Sequence, residues 1–470
     1  MQARLRFFGA AREVTGSMHL IEVGDQTIAL DCGLFQGRRS DANAKNKYFP
    51  CPPNKIDAVV LSHAHIDHCG KLPLLAKHGF DGPIYATEAT CDLARIMLPD
   101  SAHIQKEDAI FWNKKRVKQG DRPIEPLYDD DDVKAAVKLL VSRPLHESFE
   151  VIPGVRAHFV EAGHMLGSAS VGIEIQRERG KGIIRVTFTG DLGRQHTEIL
   201  RDPEPLPLCD YLICESTYGG RVTPDPTGMR DQLAEVINST VERGGKLIIP
   251  SFAVGRTQTI VYDYHMLTLE GKIKRKVPVI VDSPLAINAT EVFRRHSERY
   301  DSEARVLHRI AGGDLFECEG CEYISNVEDS KALNDRHEPM IIISSSGMCE
   351  AGRILHHLKN NIENPRNTIL FVGYQAENTL GRRLIEKAKE VKIFGEMYNV
   401  RARIKVLNGF SSHANKNEIL AHTRPLAGRT RQVCLVHGEM SQSEALAESM
   451  REIGFNRVMI PEPGQKLTLE

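Results

Sequence analysis

The stretch DAVVLSHAHIDHCGK, residues 57–71, decides how this chain is read. Residues 57–61 form a short apolar run of the kind that makes a buried strand, and they lead into Ser62-His63-Ala64-His65-Ile66-Asp67-His68. Four ligand-type side chains within six residues cannot all face an apolar core, because each would need a partner or cost on the order of a few kcal/mol. The spacing does not suit a helix, where a zinc pair takes i, i+4 positions. The expectation is a loop on which His63 and His65 meet one ion while Asp67 and His68 turn to a second. Gly70 then releases the chain into a helix over 71–77.

Working outward, the same arrangement recurs. Strand candidates at 27–30, 57–61, 156–160, 183–189, 211–214, 403–407 and 432–436 each deliver a histidine or carboxylate just past their C-terminal ends. In order these are Asp31, the cluster itself, His164, Asp191, Glu215, His413 and His437. Further candidates at 246–249, 277–281, 340–343 and 368–372 alternate with amphipathic segments such as 230–243, which ends at Gly244-Gly245. That alternation predicts an α/β protein, and the carboxyl edge of such sheets is where loops converge into sites. Imidazole and carboxylate ligands without thiolate suit Zn²⁺, with Mn²⁺ or Fe²⁺ as the alternatives. Two ions about 3.5–4 Å apart would activate a water and clamp a displaced phosphate, which is hydrolytic chemistry.

Composition sets the outer bounds. The chain has 470 residues, Lys+Arg 61 against Asp+Glu 62, and a formal charge of -1. That length allows two or three domains, and the even balance excludes binding to nucleic acid through bulk basicity. No apolar run reaches the roughly 18 residues of a membrane span, so no membrane is expected as a partner. The N-terminus lacks the apolar core of a signal peptide, and the 10 cysteines lie mostly beside apolar runs. Both point to a reducing, cytoplasmic setting.

At this point the residues resemble a known family. Asp31, His63 to His68, His164 and Asp191 are similar to motifs one to four of the metallo-β-lactamase superfamily. Glu215 in CESTYG, His413 in FSSHAN and His437 in VHGE resemble motifs A, B and C of its β-CASP branch. The opening GAAREVTGSMHLIE and the loop DCGLFQG look like the cleavage and polyadenylation specificity factor type of β-CASP ribonuclease, over about residues 5–465. The resemblance implies a metallo-β-lactamase αββα sandwich over 1–217 and 400–470, with an inserted α/β β-CASP domain over 218–399. It implies two Zn²⁺ per chain, one held by His63, His65 and His164, the other by Asp67, His68 and His437, with Asp191 between them. Asp31 would orient a ligand histidine, Asp67 would help orient or deprotonate the bridging water to the hydroxide nucleophile, and Glu215 would pair with His413 as general acid. The implied activity is hydrolysis of single-stranded RNA as an endonuclease, with additional 5′ exonuclease action and a homodimer both left open. A β-CASP DNA nuclease is the alternative, although that branch typically carries Val at motif C, where this chain has His437. A small-molecule metallohydrolase would not need so long an insert, and a non-catalytic scaffold would have lost ligands. Motif B reads His413-Ala414-Asn415 in place of the common H-A-D. The chain also starts directly at the lactamase-like domain, so the expectation is that RNA is gripped by these two domains alone.

The inserted segment carries loops rich in small polar residues: 251–256 with Arg256, Asp282-Ser283-Pro284, Ser344-Ser345-Ser346-Gly347, and Gly373-Tyr374. Arg256 and the run Ser344, Ser345, Ser346 and Gly347 are the candidates for a substrate phosphate. Other features read more plainly. Asp129 to Asp132 precede a helix and suit its N-terminus. The basic patches at 114–116 and 272–276 are candidate guides for the strand. Cys318 and Cys321 have no second metal pair nearby, and His356-His357 reads as surface or groove lining.

Overall fold

The structure is a computed structural model and describes residues 2–37, 39–177, 182–223, 228–310, 314–373, 375–376 and 379–470. Tyr374 and the side chain of Lys115 lie outside the described residues. Contacts divide the chain into two compact units: 1–195, 202–222 and 413–470, and, separately, 196–201 with 223–412.

The first unit carries two sheets. One is ordered Lys466–Leu469, Ala3–Gly9, Met18–Val23, Gln26–Leu30, Ala58–Val60, Ile84–Ala86, Leu140–Ser142. The other is ordered Val458–Met459, Gln432–Val436, Tyr211–Glu215, Ile183–Phe188, Ala169–Gln176, Val155–Glu161, Phe149–Ile152. Ala3–Gly9, LRFF at its centre, alternates buried and half-buried residues, which fits a strand with one face on a core. Leu5, Phe7 and Ile21 from one sheet share a core with Phe159, Val171 and Phe188 from the other, so the sheets pack face to face. On their outer faces, Leu72, Leu75 and Leu98 cover Val59 and Leu61, while Leu446 and Met450 cover Leu212 and Leu435. Helix, sheet, sheet, helix is the resulting layering. The acidic run is a cap: Asp129 accepts the N–H groups of Asp131 and Asp132 at the start of the helix Asp130–Lys138.

The second unit has a sheet of strands paired parallel throughout, ordered Cys321–Tyr323, Val279–Val281, Ile341–Ser344, Leu247–Pro250, Thr368–Phe371, Arg403–Val406. Arg403–Val406, expected from sequence in the lactamase-like part, pairs instead with Thr368–Phe371 of this sheet. The reason is register: its four residues complete a sheet edge, and the chain enters the first unit only at His413. Cys318 and Cys321 form a disulfide here, whereas the other eight cysteines are free and mostly buried. Lys272 pairs with Asp231 and Glu270, Lys274 with Glu242 and Lys276 with Glu319, so the 272–276 patch is largely neutralised by carboxylates. No helix among the described residues is long and apolar enough to cross a membrane.

Candidate metal centre

Five strands of the first unit end at one place. Gln26–Leu30 delivers Asp31, and Ala58–Val60 delivers the histidine cluster. Val155–Glu161 delivers His164, Ile183–Phe188 delivers Asp191, and Gln432–Val436 delivers His437. Part of the cluster departs from the expected loop. His63 and His65 precede a single helical turn, Ile66–Cys69, and His65 stands at its N-terminus. One turn is too short for an i, i+4 pair, yet it brings the His68 ring to 4.0 Å from that of His63 while placing Asp67 and His68 with His437. Gly33 makes the packing possible, because a Cβ there would overlap the Asp67 carbonyl. Asp31 and His437 both hold positive φ, 60° and 52°, which non-glycine residues adopt only when their surroundings impose it.

Two ligand groups that share no residue result, and Asp191, Glu215 and His437 form a third that overlaps both. His63, His65, His164 and Asp191 bring one donor atom each within 4.8 Å of one another, and so do Asp67, His68 and His437. Asp191 Oδ2 lies 3.6 Å from His63 Nε2, 3.5 Å from His164 Nε2 and 3.4 Å from His68 Nε2, so it faces both groups.

The hydrogen bonds behind these histidines assign their tautomers. Asp31 Oδ2 accepts from His68 Nδ1 at 2.7 Å, leaving Nε2 to face inward. The Ser62 hydroxyl donates to Asp31 at 3.0 Å, so it accepts from His63 Nδ1 at 3.0 Å and leaves that Nε2 bare as well. The Thr217 hydroxyl donates to the His437 carbonyl at 2.9 Å and accepts from His437 Nδ1 at 3.0 Å, with the same outcome. The Nε2 atoms of His68 and His437 then sit 3.0 Å apart, an arrangement that two lone pairs cannot satisfy without a proton or a cation between them. Asp191 Oδ1 is buried without a hydrogen-bond partner among the described residues.

Every one of these observations asks for positive charge at the centre, and the donor set fits a pair of divalent cations. The electrostatics agree. Burial opposes charge on His68, yet Asp191 and Asp31 outweigh it and hold His68 well above its ordinary value. Burial pushes His63 and His164 well below theirs, and His65 down to about 4. Asp191 is lowered against its burial by His437, His68 and His63.

Beside this cluster, His413 Nδ1 lies 3.5 Å from Glu215 Oε2 and 3.9 Å from Asp191 Oδ2. Burial opposes its charge, but Glu215 and the neighbouring aspartates raise His413 to about 9. Glu215 is itself pinned by the N–H of Leu192 at 2.6 Å. The His413 segment pairs with Gly193, and Ala414 N–H donates to the Leu192 carbonyl. Asn415 caps the helix Lys416–Thr423 by accepting from the N–H groups of Asn417 and Glu418. Asn and Asp cap almost equally well, so the departure from H-A-D leaves the cap intact. Glu418 returns the bond to Asn415 N–H and meets the buried Arg194 at 3.3 Å.

Ser62, Thr217 and Arg194 escaped the sequence reading. A Ser or Thr beside a ligand or motif acid, as in Ser62-His63 and Glu215-Ser216-Thr217, is the only trace the first two leave there, and Arg194 leaves none. The phosphate candidates of the second unit divide. Ser344 donates to the Asp282 carbonyl and is buried, and Ser346 donates to the Ala351 carbonyl within its own loop. Ser345 shares a hydrogen bond with Ser283, and Arg256 opens the helix Arg256–Leu269 with its guanidinium 5.5 Å from the Phe410 ring. His357 bonds to the buried Asp282 at 2.6 Å and serves the interior of its unit, whereas His356 is exposed and packs on the exposed Phe394 ring at the surface.

Fold and site together define a metal-dependent hydrolase. The metallo-β-lactamase superfamily profile matches residues 11–239, the β-CASP domain profile 257–384, and that of a Zn-dependent metallo-hydrolase RNA specificity domain 397–461. The chain is 38% identical over 442 residues to Ribonuclease TTHA0252 of Thermus thermophilus, covering 94% of each. It is 32% identical over 464 residues to the transcription termination factor FttA of Methanosarcina mazei, covering 95% of this chain and 68% of that one. An Enterococcus faecalis protein of unknown function shares the fold, with a TM-score of 0.54 at 12% identity over 100% of both chains. The chain belongs to the β-CASP branch of the metallo-β-lactamase superfamily.

Proposed function

We propose that the protein is a zinc-dependent ribonuclease that cuts RNA phosphodiester bonds as an endonuclease, with 5′ exonuclease action on the fragments. The observation that carries this reading is a hydrolytic ligand set next to a separately held, proton-bearing histidine. His63, His65 and His164 would hold one Zn²⁺, Asp67, His68 and His437 the other, and Asp191 would contact both. Two such ions supply a water nucleophile at neutral pH and stabilise charge on the phosphate.

The chain's own groups do the remainder. Asp67, with its carboxylate near His437, orients the attacking water and accepts its proton. The water oxygen bonds to phosphorus as the P–O3′ bond breaks. His413, kept protonated by Glu215, gives its proton to the departing 3′ oxygen. The products carry a 5′-phosphate and a 3′-hydroxyl. The RNA specificity profile over 397–461 and the name of the Thermus relative support RNA as substrate. Single-turnover cleavage of end-labelled RNA and of DNA of the same sequence tests the reading. RNA cleavage lost in Asp67→Ala is expected; undiminished cleavage in that variant, or faster cleavage of DNA, would overturn it.

A further inference from the structure

The second unit contains a place where its sheet changes direction. Leu247–Pro250 and Ile341–Ser344 are neighbours. The chain leaves Leu247–Pro250 through the helix Arg256–Leu269 to reach Val279–Val281, on the far side of Ile341–Ser344. It leaves Ile341–Ser344 through the helix Ile354–Asn361 to reach Thr368–Phe371, on the far side of Leu247–Pro250. Two adjacent parallel strands with connections departing in opposite directions open a crevice at their carboxyl ends, and ligands of open α/β sheets bind there.

Phe252 stands at that edge. It is 44% exposed, one of seven large apolar side chains exposed among the described residues of this unit. Its backbone is nonetheless held tightly: the Phe252 carbonyl accepts from the hydroxyls of Ser251 and Thr257 and from the Thr257 N–H. Its ring lies against two glycines from the flanking loops. A Cβ on Gly347 would come within 3.0 Å of the ring, and one on Gly373 within 3.6 Å. The buried Gln375 joins those loops, its side-chain amide donating to the carbonyls of Gly347 at 3.0 Å and Gly373 at 3.2 Å. Three neighbouring strands thus end in loops bonded to one another beneath a single exposed ring. A ring exposed singly is ordinary in itself; what sets this one apart is that flanking loops hold it fixed at the switch point of the sheet.

Resting on the RNA reading above, we propose that Phe252 is a base-stacking platform that binds one nucleobase of single-stranded RNA. A flat ring fixed in advance loses little entropy on binding, and every base offers a face to it. The hydroxyls of Ser345 and Ser283 and the guanidinium of Arg256 belong to the same loop set, where polar groups for sugar and phosphate are needed.

The test is cleavage kinetics of the full-length zinc enzyme on an oligoadenylate in which one abasic nucleotide is placed at each position in turn. Phe252→Leu is expected to raise KM about 5- to 150-fold with kcat little changed, as loss of one stack implies, while Phe252→Trp keeps KM. One abasic position should impose a similar penalty on the wild type and almost none on Phe252→Leu. Thermal unfolding identifies a variant that merely misfolds, and the wild-type abasic series stands without it. An unchanged KM in Phe252→Leu, abasic penalties that add to it at every position, or no position-specific abasic penalty in the wild type would overturn the platform while leaving the ribonuclease reading in place. A wild type that cuts DNA and not RNA would overturn that reading, and the same abasic series in DNA would still decide whether Phe252 stacks a base.

Discussion

At the metal centre of the first unit, hydrogen bonds run from the surroundings to the ligands; around Phe252 in the second unit, they run from loop to loop. Asp31, Ser62 and Thr217 each fix a nitrogen and leave its partner bare, so the centre is ordered but electrostatically incomplete. The second region is tied loop to loop: Ser344 and Ser346 bond to neighbouring carbonyls, and Gln375 joins two loops. The difference shows how one chain can build two kinds of site. A centre that must hold cations is left short of positive charge, whereas a surface that meets a neutral base face needs only rigidity.

The predictions test that contrast from the largest effect down. Asp191→Ala removes the carboxylate that faces both ligand groups, and it is expected to abolish RNA cleavage and to lower the zinc retained after dialysis, measured by elemental analysis. His413→Ala touches the proton donor and none of the proposed ligands; kcat is expected to fall about 10²- to 10⁴-fold with zinc content unchanged, as loss of general acid catalysis predicts. A loss of zinc in that variant would merge two roles that the geometry separates.

Thr217→Val tests whether a single hydroxyl sets a tautomer. Chelator competition is expected to show about 10- to 100-fold weaker zinc binding, restored by Thr217→Ser, as for other partners behind metal-bound histidines. The smallest effect concerns His19, buried between Phe7 and Phe188 with both ring nitrogens unpaired among the described residues. Burial first, then His68 and His437, lower it from 6.5 to about 3. The unfolded chain therefore binds a proton that the folded chain refuses, so stability is full above about 6.5 and declines as pH falls towards 3. His19→Leu is expected to move the midpoint of acid unfolding to lower pH; no movement would mean that the imidazole is satisfied in solution.

The legible part of this molecule was its unusual chemistry. His63, His65, Asp67, His68, His164, Asp191 and His437 are residue types that rarely gather at strand ends without a reason, and each stands past an apolar run that the sequence displays. Ser62 and Thr217 were not legible, because a hydroxyl becomes an orienting group only through the nitrogen it faces, and that depends on tertiary placement. The same limit worked in reverse at 344–347. A run of serines reads as a phosphate cradle, yet turn chemistry competes for the same hydroxyls, and in this fold Ser344 and Ser346 bond to backbone carbonyls. Phe252 lies within the 251–256 loop without a legible role, since a lone phenylalanine after an apolar strand gives no sign in sequence of being exposed. The placement of Arg403–Val406 was hidden because a four-residue strand takes its identity from its neighbour rather than from its own residues.

The most direct test of the account is a titration of the zinc-depleted chain with Zn²⁺, followed by single-turnover cleavage of labelled RNA. The account predicts that cleavage is absent without metal and reaches its plateau at two equivalents per chain, as a two-ion centre requires. A plateau at one equivalent, or cleavage that survives full depletion, would contradict it.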